Sequence, residues 1–230
     1  MQVLPSEIEF NNKSTKRTQN IKYLGITLDE YLDWNERIRN IKNSLSSLFS
    51  VFYNIRRYLT IEHIRVIYYT MIYSRIKYGI CAYGFARKEN IDKVQVMQNK
   101  LLKVILEKSW RHPTEELHSE DNILQVRDLF YQEIASFVNK YFSGDLPDVF
   151  LDYYKYVNHT YGTRGNQNKL VLPLQRTELG KKTVRYKGGE VWNNLCQKQK
   201  GIKNSKTFRK SIRDSIIKGY RDTESSTSAN

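Results

Sequence analysis

Apolar and polar positions along this chain follow two different rhythms. Over the first thirty residues the rhythm is short. "EIEF" (7–10) reads as a strand, "NNKS" (11–14) as a turn and "IKYLGITLD" (21–29) as a second strand. A two-stranded hairpin is marginal alone in water, so this one needs a surface to lean on. From Trp34 the rhythm is helical: Trp34, Ile38, Ile41, Leu45, Leu48, Phe52 and Ile55 step by 4, 3, 4, 3, 4 and 3. Asp33 stands as the N-cap, with Glu36 at the capping-box position. A 3-4 apolar repeat is what helix packing demands, so this stripe is read as core rather than as a groove.

Leu59-Thr60 breaks the stripe, and Thr60 can cap a second helix whose buried face is Ile61, Ile64, Tyr68, Met71, Ile72 and Ile76. Gly79 and Gly84 bracket its exit. A third helix is expected over about 89–108, with Ile91, Val94, Leu101 and Ile105 on one face, Gln98 interrupting it, and Lys93, Lys100 and Lys103 opposite. After the linker "WRHPTEELHSEDN" a fourth helix spans roughly 124–142 and stops at "SGDLP". Helices with short connections make a bundle. From Phe150 the pattern changes: "NHTYGTRGNQNK" is a polar loop, "LVLPLQRT" and "KTVRYKGG" are strand-like, and "VWNNL" and "SKTFRKSIRDSIIKGY" are helical. The last ten residues lack an apolar anchor and read as a disordered tail. The expected class is mainly α: an N-terminal hairpin (1–30), a helical bundle (31–148), a small basic α+β segment (149–220) and the tail (221–230).

Charge sharpens this picture. The net charge of the 230 residues is +14, and between Lys155 and Lys218 there are 16 Lys and Arg against three acids, Glu178, Glu190 and Asp214. Nearly all the excess therefore lies in one block, which points to a polyanion partner, nucleic acid first and an acidic membrane surface second. Cys81 and Cys196 fit no zinc spacing, which suits a reduced intracellular setting, nucleus or cytoplasm. No apolar run approaches the roughly 20 residues that span a bilayer. "MQVLPSEIEF" has neither the basic start nor the long apolar run of a secretory signal.

Catalytic patterns are missing. There is no Gly-rich phosphate loop, HExxH or GxSxG. No two aspartates are adjacent, and Asp29 and Asp33 flank a turn where capping is the expected job. His112 and His118 are separated by what reads as loop, with no cysteine near, against a zinc site. No convergent carboxylates offer themselves for metal-dependent phosphoryl transfer.

Several segments, in order, resemble one family. "IKYLGITLDEYLDWNERIRNI" is similar to the end of the reverse transcriptase domain of non-LTR (LINE-type) retrotransposons, through Tyr23, Leu24, Gly25, Asp29, Leu32 and Trp34. "IYYTMIYSRIKYGICAYG" resembles its tyrosine–glycine segment, and "VQVMQNKLLKVIL" its Gln-Asn-Lys helix through Gln98, Asn99, Lys100 and Leu102. Further matches run through "VRDLFYQEIASFVNKYFSGDLPDVF", then His159, Tyr161, Thr163 and Arg164, then Leu172, Pro173, Arg176 and Thr177, then Tyr186, Gly188, Trp192, Asn193 and Leu195. Arg75 stands where the family usually has Pro, Tyr83 where it has Trp, and Gly189 and Cys196 where Pro is common.

The resemblance implies the end of the palm, a thumb-like helical bundle and a C-terminal segment. The family's catalytic Y/F-x-D-D would precede residue 1, so RNA-directed DNA polymerase activity is not expected of this chain alone. No cofactor is expected in it, and Mg²⁺ only for the full-length enzyme. The implied partners are RNA, single-stranded DNA or an RNA/DNA hybrid, together with the missing palm domain; no membrane is expected. The alternative is a non-enzymatic nucleic-acid or protein adaptor co-opted from a truncated element. The strand at 21–29 should pair at most with residues 7–10 and leave an edge exposed.

The candidate contacts follow. Lys93, Lys100 and Lys103 could track a phosphate backbone or be a solvated face. In the basic block Arg164, Arg176, Lys181, Lys182, Arg185 and Lys187 interleave with Tyr161 and Tyr186 as base-stacking candidates, with Trp192 buried. Lys206, Arg209, Lys210 and Arg213 line a helix whose apolar side is Phe208, Ile212 and Ile216. A basic amphipathic helix could also lie on a membrane, the weaker option without a larger apolar face. Arg56-Arg57 at a helix end is read as complementing the helix dipole.

Overall fold

A computed structural model describes residues 7–10, 13–157 and 169–227. Four short strands precede the helices: β1 (Glu7–Phe10), β2 (Lys13–Lys16), β3 (Asn20–Tyr23) and β4 (Ile26–Asp29). They make two separate antiparallel hairpins, β1 with β2 and β3 with β4. The segment expected as one strand is therefore itself a hairpin, and it does not pair with residues 7–10. The reason lies at its centre. Leu24 (φ 46°) and Gly25 (φ 76°) both take positive φ, the two-residue turn whose twist matches the flanking strands. The Tyr78 hydroxyl donates to the Leu24 carbonyl, and the buried Arg37 donates to the carbonyls of Tyr78 (2.7 Å) and Gly25 (3.5 Å). β3 is exposed along its length, while β4 lays Ile26 and Leu28 against the helices.

Those helices are α1 (Asn35–Ser46), α2 (Leu48–Ile55), α3 (Ile61–Ile67), α4 (Ser74–Lys77), α5 (Ile80–Tyr83), α6 (Lys88–Ile105), α7 (Thr114–Glu120), α8 (Val126–Ser143), α9 (Glu178–Lys181), α10 (Val184–Asn194), α11 (Gln197–Lys200) and α12 (Ser205–Thr227). The Trp34–Ile55 stripe is core as read, with a one-residue break at Ser47. Its start differs. Asp33 caps nothing; its backbone N–H donates to Asp29 Oδ1 (2.7 Å), and Trp34 turns left-handed (φ 63°) to bury its indole. Thr60 does cap α3, in a box with His63. Between α3 and α4 the chain widens into a π-helical turn, Tyr68–Tyr73. The linker after α6 contains α7, which buries Leu117 and His118; the two histidines are not joined by loop alone. "SGDLP" ends α8 as expected, with Gly144 at φ 74°.

Two apolar clusters form. The first gathers the faces of α1, α2, the π turn, α5 and α6; the second gathers Tyr154, Leu170, Val191, Trp192 and Phe208. α8 and α12 run through both: Leu129 and Ile217 sit in the first, Val138, Phe208 and Ile212 in the second. Polar side chains of α8 lace down α12 and the connection before it, Gln132 donating to the Arg209 carbonyl (2.9 Å) and Asn139 to that of Ile202 (2.7 Å). In the C-terminal segment "KTVRYKGG" is helix, not strand. Thr183 accepts from the Tyr186 N–H as N-cap, and Gly188, Val191 and Trp192 recur at helical spacing on the buried face. "LVLPLQRT" contributes a single bridge, Tyr156 to Leu170. Residues 221–227 continue α12, where a tail was expected.

The residue that interrupts the α6 face is a fully enclosed polar group of the first core. Gln98 has no exposed surface; its amide donates to Tyr68 Oη (2.8 Å) and to the Leu124 carbonyl (2.9 Å), and its oxygen accepts from Gln95 (2.9 Å). Beside it His118 gives Nδ1 to the Ile123 carbonyl (2.9 Å) and faces Asn99 Oδ1 (2.8 Å) with Nε2. Burial holds the His118 pKa below the ordinary 6.5. Gln98→Ala leaves a buried carbonyl and hydroxyl without their donor, so it should lower unfolding stability by about 2–4 kcal/mol in urea titration. Below pH 6.5 the unfolded chain takes a proton that the buried ring resists. His118 thus contributes its full stability above that pH and loses it as pH falls through the folded value. His118→Gln should flatten the stability profile below about pH 6.5 relative to the parent chain.

Candidate nucleic-acid interface

The described basic residues expected as contacts sit on three parts of the fold, α12, α9–α10 and α6. The first is a groove of about 300 Å³ where α12 crosses the π turn, lined by Tyr68, Tyr69, Tyr73, Lys206, Arg209, Lys210 and Arg213 among others. The π turn sets Tyr68, Tyr69 and Tyr73 ring to ring, with centroids 5.2 Å (68–69) and 5.3 Å (69–73) apart. Arg213 donates to Tyr69 Oη (2.6 Å) and to the Asn122 carbonyl (2.6 Å). Arg209 donates to Tyr73 Oη (2.8 Å) and pairs with Glu133, which Lys77 also approaches at 3.5 Å. Burial, then the neighbouring Arg209 and Lys140, hold the Lys77 pKa below its ordinary value. The two arginines are half-buried and fasten α12, whereas Lys206 and Lys210 are exposed on the rim.

The second place is α9 and α10. Lys181 pairs with Glu178 (2.7 Å) and Lys187 with Glu190 (3.0 Å). Exposed pairs of this kind are weak, and a phosphate competes well for such cations. Arg185 donates to the Tyr153 carbonyl (3.0 Å), with its guanidinium 5.6 Å from the Tyr153 ring. Arg176 and Lys182 are exposed and form no ion pair with any described residue. Tyr186 is half-buried on α10, which limits its ring as a stacking face, and Trp192 is buried as expected. Arg164 and Tyr161 lie outside the described residues.

The third place is α6. Lys93 caps Asn90 Oδ1 (2.9 Å), which ties it to the entrance of α1. Lys100 and Lys103 line a groove of about 450 Å³ with Phe49, Arg56, Lys108 and Trp110. Lys103 donates to the Trp110 carbonyl (2.9 Å). Trp110 was passed over in the sequence, although an indole between Lys108 and Arg111, outside any apolar stripe, was a usable signal.

Metal chemistry has little to work with here. Among the described residues the group able to hold an ion is His112, Glu116 and Glu120, with ligand atoms within 4.8 Å of one another. Lys108 already takes Glu120 (2.6 Å), and the group holds no pair of aspartates. It does not fit the Mg²⁺ of a nucleotide-transfer centre, so no chemical step is assigned to it.

Against this geometry stand the comparisons with known proteins. The chain is 27% identical over 124 residues to the RNA-directed DNA polymerase from mobile element jockey of Drosophila melanogaster, a match covering 53% of this chain and 14% of that protein. It is 23% identical over 142 residues to the jockey polymerase of Drosophila funebris, covering 57% and 16%. It is 27% identical over 110 residues to the probable RNA-directed DNA polymerase from transposon X-element of Drosophila melanogaster, covering 46% and 12%. The chain is related to non-LTR retrotransposon reverse transcriptases. The matches span about one-sixth or less of those relatives' length. No family model matches the chain, and no solved structure does.

Residues that carry the reverse transcriptase resemblance are mostly structural. Gly79 takes φ 72° and a Cβ there would lie 2.5 Å from Ile26 Cδ1, so it lets the β3–β4 hairpin close on the bundle. A Cβ on Gly188 would lie 2.1 Å from the Tyr154 hydroxyl, which donates to the Val184 carbonyl (2.9 Å). Tyr83, in place of the family's Trp, is buried and donates to the Ile76 carbonyl. Arg75, in place of Pro, donates to the Ser44 carbonyl (2.8 Å). The split between fastening and free cations is measurable. Arg213→Met should cost about 1–3 kcal/mol in urea unfolding by stranding its partners. The double variant Lys206→Glu with Lys210→Glu should stay within about 0.5 kcal/mol of the parent.

Proposed function

We propose that this chain is a nucleic-acid-binding part of a non-LTR retrotransposon reverse transcriptase, thumb-like over 31–148 and with a basic C-terminal segment over 149–220. One observation carries the reading. Lys155, Lys169, Arg176, Lys182, Lys198, Lys203, Lys206 and Lys210 are exposed, and none has a carboxylate of a described residue within ion-pair reach. Uncompensated cations at that density cost self-repulsion unless a polyanion is to be bound. The relatives are, by name, polymerases that copy RNA. The chain's role is to grip template or product, as RNA, single-stranded DNA or hybrid. With no adjacent aspartates in its 230 residues, nucleotide addition and its Mg²⁺ belong to the catalytic part of such an enzyme. The exposed Ile21, Tyr23 and Leu24 of the β3–β4 hairpin offer that part an apolar face.

Fluorescence anisotropy with a labelled single-stranded RNA checks the binding. Affinity should fall log-linearly with salt, with a slope near −3.5 for about five phosphate contacts. Affinity unchanged from about 50 to 300 mM salt would sink the reading. Primer extension by the purified chain with Mg²⁺ should fail; extension would overturn the assignment of a binding role alone.

A further inference from the structure

We propose that the groove between α6 and the 107–114 segment is a dedicated site for an unpaired nucleobase and its flanking phosphates. This deepens the nucleic-acid reading above and rests on it. Trp110 is 77% exposed, an unusual position for the largest apolar side chain when the other two tryptophans, Trp34 (8%) and Trp192 (2%), are buried. Its backbone is nevertheless fixed: Lys103 holds its carbonyl at 2.9 Å, and the 109–112 turn closes with the His112 N–H donating to the Ser109 carbonyl (3.0 Å). The Arg111 guanidinium lies 4.9 Å from the indole centroid. A solvent-facing indole on a fixed backbone, with a guanidinium beside it, is a platform on which any base can stack, since every base has a π face.

The rest of the groove suits the same ligand. Its ten lining residues include four cations, Arg56, Lys100, Lys103 and Lys108, and no carboxylate. Phe49, Val96 and Val104 supply an apolar floor. Arg56 and Lys108 are held by Glu107 (3.6 Å) and Glu120 (2.6 Å), acids that approach from outside the lining. Lys100 is exposed and makes no hydrogen bond or ion pair with a described residue, so it is the cation free to take a phosphate. Arg56, in the lining, also lies 4.3 Å from the ring centroid of Tyr53, itself 57% exposed. Apolar floor, indole wall and cationic rim together fit a splayed-out base better than a duplex, whose bases are already stacked on each other.

The chain carries its own reporter, because Trp110 is the exposed tryptophan. Titration of the full chain with an oligo(dT) of about twelve nucleotides should quench tryptophan emission. A blunt duplex of equal length should bind with far less quenching. Trp110→Ala should weaken oligo(dT) binding about 5- to 100-fold in anisotropy while changing duplex binding little. Trp110→Phe should keep most of the affinity and lose the quenching. Lys100→Glu should weaken binding and reduce the salt slope by about one unit. Trp110 makes few contacts, so these variants should unfold with the parent's urea profile. If Trp110→Ala binds oligo(dT) like the parent and the indole stays unquenched at saturation, the site is overturned while nucleic-acid binding elsewhere stands. If no oligonucleotide binds the parent chain, both readings fail.

Discussion

The structure turns on a buried amide. Gln98 sits fully enclosed in an otherwise apolar face of α6, where an unpaired polar group would be costly. Its amide nitrogen donates to one hydroxyl on the π turn and one carbonyl in the segment before α8, and its oxygen accepts from Gln95 on the same helix. Satisfying it therefore fixes three parts of the chain relative to one another. Tyr68 is held at the root of the π turn, and Tyr69 and Tyr73 are thereby aimed outward at α12. Through them Arg213 and Arg209 are anchored, and α12 is set across the bundle. A helix formed 100 residues later in the chain is thus placed by a side chain inside the first core.

That anchoring ties the two apolar clusters together. The first core and the second share α8 and α12, and the polar laces from Gln132 and Asn139 reach backbone carbonyls rather than exposed side chains. Removing the C-terminal segment would strip Tyr69, Tyr73 and Gln132 of their partners on α12. The free lysines of the basic block are carried on α11, α12 and the segments that lead into α10 and α12.

Cations on this chain do two jobs. Arg37, Arg75, Arg209 and Arg213 face inward and donate to carbonyls and hydroxyls, a use for which the forked, always-charged guanidinium suits them. The exposed charge is mostly lysine, flexible and well hydrated. Composition records only the sum. Which member of the Lys206–Arg213 run fastens a helix and which meets solvent depends on what lies beneath α12.

The sequence by itself determined the longer helices of the bundle, because a 3-4 apolar repeat leaves little choice once a core forms. Trp34 to Ile55, Ile91 to Ile105 and the Gly144 stop were all legible, as were the family relationship and the buried Trp192. It also determined the segregation of charge. Tertiary structure decided what local signals could not. Leu24-Gly25 became a turn because Tyr78 and Arg37, more than ten residues away, hold its carbonyls. "KTVRYKGG" became a helix because Gly188 allows Tyr154 against it. Gln98 looked like an interruption and proved to be a junction. Of the candidate interface, the residue types were legible and their grouping was not. Trp110 and Lys100 line one groove only because α6 ends and the chain folds back along it. Periodicity reports which face of an element is apolar; it carries no information about which distant polar group will complete a buried one.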